Sequence, residues 1–275
     1  MTSRACRQVA MLACDSSPCG ESGRQLLARL APRPDLGSVL TELCPHHPVP
    51  GDIVEISGPG GSGKTQLLME CVAAALSCDS TSAVVLLDTD RHVRMPRLLQ
   101  LLQRHLPSAA AARSAASRLE LLTATSSQQA RVALEALLAR LEEHAGVLLL
   151  AVDSLSAFYW SDRHALGRVG ERADAWYRQL GQQLVRLAGR GRLVVVATRH
   201  SLSAGATGWH HMGAEWSAAV TRSVCLRPQQ GAVEATLRMV ARTEVAAPPP
   251  PSLWKRRFVI TDEGVRWLEV LADNE

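Results

Sequence analysis

The hydrophobic rhythm of the chain changes twice. Up to about residue 50 it has no sustained period. A short stretch at 22–30 places Leu26, Leu27 and Leu30 on one side of a helix. Pro32, Pro34, Pro45, Pro48 and Pro50 then break any regular element and predict an extended linker. From Asp52 onward, short and wholly apolar runs alternate with longer segments of helical period. The runs predict strands at 52–57, 83–88, 118–123, 146–152 and 192–198, and the segments between them predict helices at 64–77, 94–105, 127–144 and 171–189. The stretches 84–87, 147–152 and 193–197 have no polar face, so they belong in a parallel sheet covered on both sides, the signature of an α/β fold. Past residue 218 the helical segments give way to short strands at 219–226, 234–241 and 256–260, an expected antiparallel extension, with prolines 248–251 forming a rigid loop. The expected plan is a segment and linker over 1–50 and a core over 51–270.

The chemistry concentrates where the first strand ends. Gly58, Pro59, Gly60, Gly61, Ser62, Gly63, Lys64 and Thr65 fit G-x-x-x-x-G-K-[ST] without a mismatch, between a predicted strand and a predicted helix. The glycines let the backbone curl until its N–H groups converge, and the next helix points its positive end at the same place. That combination cradles the phosphates of a nucleoside triphosphate. Lys64 reaches the β and γ oxygens, and the Thr65 hydroxyl holds Mg²⁺. Lys64 and Lys255 are the only lysines among 30 basic residues, so a compact ammonium is kept where a point charge suits phosphate.

Two more strand ends carry carboxylates. The run 147–152 leads into Asp153, placed to hold Mg²⁺ beside the cradle, since ligands gather at the carboxyl ends of such strands. The run 84–87 leads into Asp88 and Asp90. On one reading one of them activates an attacking water; on the other they finish the strand and cap the next turn of chain. Two polar, glycine-containing stretches rich in arginine, 163–172 and 199–213, are expected as mobile loops. Arg163, Arg168, Arg172, Arg199 and Trp209 in them suit either a phosphate backbone with stacked bases or a protein neighbour.

Composition narrows the class. A hydrophobic fraction of 47% over 275 residues is ample for one large core, and a net charge of +4 permits a polyanionic partner without demanding one. No run approaches the roughly 20 apolar residues of a membrane span, and no secretion signal is read near Arg4 and Arg7. The seven cysteines (Cys6, Cys14, Cys19, Cys44, Cys71, Cys78 and Cys225) form no C-x-x-C pair and suit free thiols in a reducing compartment.

In order and spacing, the cradle, the Asp88-Thr89-Asp90 strand end and the Asp153 strand resemble the ATPase core of the RecA-like recombinases. The run from Asp153 to Arg163, with 22–30 and 49–55, resembles the X-ray-repair cross-complementing type of recombinase paralogue, the short type without the N-terminal helical domain. The likeness spans about residues 20 to 270. It implies a RecA-like P-loop NTPase core with a mostly parallel central sheet and a C-terminal antiparallel extension. It further implies ATP and Mg²⁺ as cofactors, a nuclear protein and a place in a hetero-oligomeric paralogue complex. Such complexes assist the main recombinase in homologous recombination repair, reaching single-stranded or branched DNA through the assembly. The stretches 163–172 and 199–217 match the family's DNA-facing loops in position.

Three departures qualify that expectation. Asp90 stands where the family has a catalytic glutamate, and Thr198-Arg199-His200 replaces the Thr-Asn-Gln that senses the γ-phosphate. The linker phenylalanine that hooks a neighbouring subunit is missing, because Phe158 and Phe258 are the only phenylalanines. The expectation is therefore a nucleotide binder with slow turnover, at the end of an assembly and without filaments of its own. A DNA-stimulated ATPase acting directly on DNA is the alternative, and a small-molecule kinase is a distant third.

Overall fold

Every residue of the first strand, β1 (Ile53–Gly58), is buried, and so is every residue of β4 (Val147–Asp153). Such strands need cover on both faces, and the chain supplies it. The computed structural model describes residues 48–143, 146–165, 170–201, 213–239 and 254–268, together with Gly23. Apart from Gly23, the expected helix at 22–30 lies outside the described residues, as do most of the linker and the 248–251 loop.

After β1 come α1 (Lys64–Ser77), β2 (Ala83–Asp88), α2 (Met95–His105), α3 (Ala109–Ala116), β3 (Leu119–Thr123) and α4 (Ser127–Glu143). β4, α5 (Tyr159–Ala165), α6 (Gly170–Gly191), β5 (Val194–His200) and α7 (Gly213–Ala219) come next. Four further strands close the order: β6 (Arg222–Gln229), β7 (Ala232–Met239), β8 (Trp254–Thr261) and β9 (Gly264–Trp267). All nine strands form one sheet in the order β3-β2-β4-β5-β1-β6-β7-β8-β9. Pairing is parallel from β3 through β6 and antiparallel from β6 to β9. The expected extension is present, but its first strand, β6, itself runs parallel to β1.

Alternation along the parallel strands divides the core. Val84, Leu86, Leu149 and Ala151 face Leu68, Val72, Leu98 and Leu102 of α1 and α2. Val85, Leu87, Leu150 and Val152 face Leu134, Leu137, Leu184 and Leu187 of α4 and α6. The runs looked featureless because both faces of each strand are spent in the interior.

Four elements escaped the periodicity. α3 is nearly all alanine, which carries helix propensity but no large apolar stripe; the Ser108 hydroxyl caps it by accepting the Ala111 N–H at 3.1 Å. α5 and α7 span seven residues each, and β9 spans four. The β6–β7 hairpin turns on Gln230 and Gly231, the latter at φ 74°, a left-handed turn position that suits glycine. Among the described residues no helix is long and apolar enough to cross a membrane.

Leu184 is fully buried between α6 and the sheet, whereas Val132 on α4 is 61% exposed. Leu184→Ala is expected to lower the unfolding free energy by about 2–5 kcal/mol, and Val132→Ala by less than about 0.5 kcal/mol. Urea denaturation of the two variants measures both values.

Candidate functional site: a phosphate cradle at the carboxyl ends of the strands

The loop between β1 and α1 has the tight curl that its glycines predict. Gly61 and Gly63 take φ of 72° and 83°, conformations that other residues rarely adopt. A methyl group on Gly58 would lie 2.7 Å from the Ser62 hydroxyl and 2.8 Å from the Leu226 carbonyl oxygen, so the loop's base is closed to any side chain. At the crown, a methyl group on Gly60 or Gly61 would meet nothing within 4 Å. The loop is thus packed below and open above, where the first turn of α1 presents N–H groups that the helix itself does not use.

The charged groups converge on that opening. The Lys64 ammonium is buried and donates to the carbonyl oxygens of Gly58 at 3.0 Å and Pro59 at 2.7 Å. Burial lowers its pKa, and the carboxylates of Asp153 and Asp90 pull it back up. The Thr65 hydroxyl donates to Asp153 Oδ2 at 2.7 Å, and the Thr198 hydroxyl donates to the other oxygen, Oδ1. Asp153 is 2% exposed; burial pushes its pKa up, the two hydroxyls oppose this, and Asp90 and Asp88 add to the rise.

β2 and β4 are tied together at the same end. The Thr89 and Asp90 N–H groups donate to the Asp153 carbonyl oxygen at 2.7 and 3.3 Å. The Thr89 hydroxyl donates to the Ser154 carbonyl oxygen at 2.8 Å and accepts the Ser154 N–H at 2.6 Å. Asp90 Oδ2 accepts the Ser154 hydroxyl at 2.8 Å and lies 4.0 Å from His200 Nε2. Burial and the neighbouring Lys64 lower the His200 pKa against the pull of Asp90 and Asp153, which favours the neutral imidazole.

This donor set suits a nucleoside polyphosphate with Mg²⁺: an open crown of N–H groups, a lysine at its edge, and a hydroxyl joined to a carboxylate. Comparison with known proteins agrees. A family model described as an AAA domain matches residues 37–206, more than half of the chain. The DNA repair protein XRCC2 of Mus musculus is 37% identical over 201 residues, covering 69% of this chain and 71% of that protein. The chain belongs to the RecA-like recombinase paralogues of the XRCC2 type.

Within this paralogue, the structure brings together Lys64, Thr65, Asp153 and Asp90, all expected from the sequence, and adds three partners that the motifs alone do not single out. Ser154 and Thr198 hold the two carboxylates, and Ser156 accepts the His200 N–H at 2.9 Å. The signal for Ser154 and Ser156 is the serine-rich run after Asp153, which in the sequence carries only a family likeness, and that for Thr198 is its place in the Thr198-Arg199-His200 run, where the sequence marks a departure from the family and not a bond to Asp153. Asp88 separates from Asp90: it is 3% exposed and accepts the Val93 N–H at 3.2 Å, which ties it to the turn after β2.

The expected DNA-facing set fares differently. Arg199 extends β5 and points inward, donating to Glu55 at 2.9 Å with its side chain 11% exposed. Glu55 also accepts the Trp216 indole N–H at 2.7 Å. A guanidinium held this way is committed to the interior, so Arg199 leaves the outward-facing set. Arg163 lies in α5, not in a loop, and its guanidinium donates back to the Tyr159 hydroxyl at 2.6 Å. Arg172 lies in the first turn of α6, so this end of the expected loop is helical as well. Arg168, Trp209 and residues 202–212 lie outside the described residues.

Gly58→Ala forces either a backbone carbonyl or a buried hydroxyl to move, whereas Gly60→Ala meets open space. The first is expected to cost about 1–3 kcal/mol, and the second is expected to leave the unfolding midpoint close to wild type. Thermal unfolding of both in the absence of nucleotide checks the packing independently of any ligand.

Proposed function

We propose that this chain is an ATP-binding recombinase paralogue that assists homologous recombination repair of DNA as one subunit of a nuclear hetero-oligomeric complex, and that it binds nucleotide without turning it over quickly. The observation that carries the first part is the Thr65–Asp153–Thr198 tie beside the glycine cradle. Lys64 would neutralise the β and γ oxygens, and Thr65 with Asp153 would hold Mg²⁺, which draws charge from the phosphates when bound. The relative's description as a DNA repair protein supports the repair role.

Slow turnover follows from how the remaining groups are occupied. Asp90 is one methylene shorter than the glutamate expected there, and its Oδ2 is engaged by the Ser154 hydroxyl. A proton acceptor displaced by an ångström loses on the order of 10²-fold in rate. Arg199 is turned away into the Glu55 pair, and burial disfavours the charged form of the neighbouring His200. No side chain at these positions therefore brings a fixed positive charge toward a phosphate.

The assembly part of the reading rests on the phenylalanines. Phe258 is fully buried against Trp267, with ring centroids 5.2 Å apart, and Phe158 packs against the core beneath α6. Both are used inside this chain, which leaves no phenylalanine in it to act as a hook. This supports an end position among paralogues, with the main recombinase and DNA reached through the complex.

Titration with a fluorescent ATP analogue and Mg²⁺ is expected to show saturable binding that Lys64→Ala weakens by about 10- to 100-fold, the range for losing a hydrogen bond from a charged group. Phosphate release by the isolated chain is expected to stay near background with and without DNA, and to rise in Asp90→Glu. Electron microscopy of the chain with ATP and single-stranded DNA is expected to show no filaments. Brisk DNA-stimulated release by the wild type would favour a directly acting ATPase, and long filaments would end the end-subunit reading.

A further inference from the structure

The antiparallel half of the sheet is built differently on its two faces. Residues directly opposite on paired strands share a face. Val224, Leu237, Leu226, Ala235, Phe258 and Val265 lie on the face toward α1 and are buried in the first core cluster. The second core cluster, which α4 and α6 cover, ends at Val220 and takes no residue from β6 to β9. Among the described residues the second face of these four strands is accessible: burial alternates along β6, and Cys225 and Thr236 are only half-buried.

That surface carries cations. Arg227 stands opposite Glu234, and Glu234 stands opposite Arg257, so the three form one row across β6, β7 and β8. Lys255 lies two residues along β8 on the same face, and Arg266 enters it from β9 opposite Val259. Arg227, Lys255 and Arg266 are exposed, and Arg257 is half-buried. Among the described side chains of this face, four cations thus stand with one carboxylate, Glu234, which accepts the Gln229 side-chain amide at 2.9 Å. Asp262 and Glu263, the other acids of the β8–β9 hairpin, sit in its turn, beyond the ends of the strands. Strand geometry spaces the charges: neighbours along a strand on one face are about 6.8 Å apart, and residues two strands apart are about 9.5 Å apart. Phe258 and Trp267 belong to the opposite, buried face, and the register that pairs Trp254 with Leu237 puts that position on the same side.

We propose that this outer face of β6–β9 is a binding surface for the phosphate backbone of a nucleic-acid duplex, using none of the residues of the nucleotide cradle. A flat array of cations with no ring among its described residues to stack on reads charge and not bases. It therefore favours a duplex, whose phosphates face outward, over a single strand, whose bases need an aromatic platform. Flexible lysine and arginine side chains on a sheet with one polar face reach phosphates without a groove-filling element, so the binding is independent of sequence. The proposal is compatible with the repair role above but does not depend on nucleotide binding, because it uses none of the cradle residues.

The test measures affinity for a fluorescent duplex of about 30 base pairs by anisotropy as salt is varied. Each phosphate contact contributes about −0.9 to the slope of log K against log salt. The combined variant R227Q/K255Q/R257Q/R266Q is expected to bind about tenfold or more weakly at low salt and to lose up to about 3.6 from the magnitude of that slope. The charge-preserving variant R227K/R257K/R266K is expected to keep the slope, which a merely structural disturbance would not restore. A single strand of equal length is expected to lose less than the duplex. An unchanged slope in the glutamine variant overturns the proposal, as does an equal loss in the lysine variant. Retained duplex binding with lost binding to an acidic protein partner would assign the face to protein contact instead and likewise overturns it. Failure of the ATP analogue to bind would refute the cradle reading alone, and the duplex slope would still decide this one.

Discussion

One buried carboxylate sets the geometry of the nucleotide end. Asp153 is 2% exposed, and its two oxygens are taken by hydroxyls from different elements, Thr65 of α1 and Thr198 of β5. Its carbonyl oxygen accepts the N–H groups of Thr89 and Asp90 after β2. Burying an ionised carboxylate is costly unless its lone pairs are occupied, and here the groups that occupy them also bring three strand ends and the cradle helix to one point. Desolvation still dominates and raises its pKa, with Asp90 and Asp88 adding to the rise. The site is thus short of positive charge around this carboxylate, and that shortage suits Mg²⁺ together with the lysine at the loop's edge.

How far this was legible in the sequence depends on what each residue does locally. The sheet could be read from runs without a polar face, because β1 and β4 are buried along their whole length. The cradle could be read from glycine spacing, because closure at Gly58 and left-handed backbone at Gly61 and Gly63 are demands that few sequences meet. The end of β5 was placed two residues short, since Arg199 and His200 look like the start of a loop; parallel pairing to Ser57 and Gly58 carries the strand on. The helix α5 was hidden because its polar and basic residues resemble a solvated loop, while Tyr159, its buried anchor, is a single residue. Periodicity sees repeated apolar positions, and elements of one or two turns offer too few of them.

A second lesson concerns charge. Arg199 and Arg222 count equally with surface arginines in the sequence, yet both are interior: Arg199 pairs with Glu55, and Arg222 pairs with Asp52. Such pairs add little net stability, because desolvation offsets much of the attraction, but removing one partner is expensive. Their effect is therefore on geometry. Glu55 is the one charged residue of β1 and holds both the Arg199 guanidinium and the Trp216 indole, fixing α7 against the strand that carries Thr198. A charge count of the stretch around 199–217 overstates what it can offer to phosphate, whereas the cations on β6, β8 and β9 keep their charge at the surface.

The two halves of the sheet are nonetheless mechanically joined. The β8–β9 hairpin is held to the helices beside the cradle by bonds aimed at its backbone. Arg97 of α2 donates to the Thr261 carbonyl oxygen at 2.7 Å, and Glu70 of α1 accepts the Val265 N–H at 2.6 Å. Ile260 lies so close to Gly63 that a methyl group there would come within 2.6 Å of it. Bonds to backbone groups tolerate changes of side chain but not of register, so these contacts fix where the hairpin lies on α1. The helix that begins at the phosphate cradle is thus the same element that positions the outer strands. The parallel strands β1, β4 and β5, covered on both faces, and the half-covered antiparallel strands therefore behave as one body, and the accessible face of the second set keeps a fixed orientation relative to the cradle of the first.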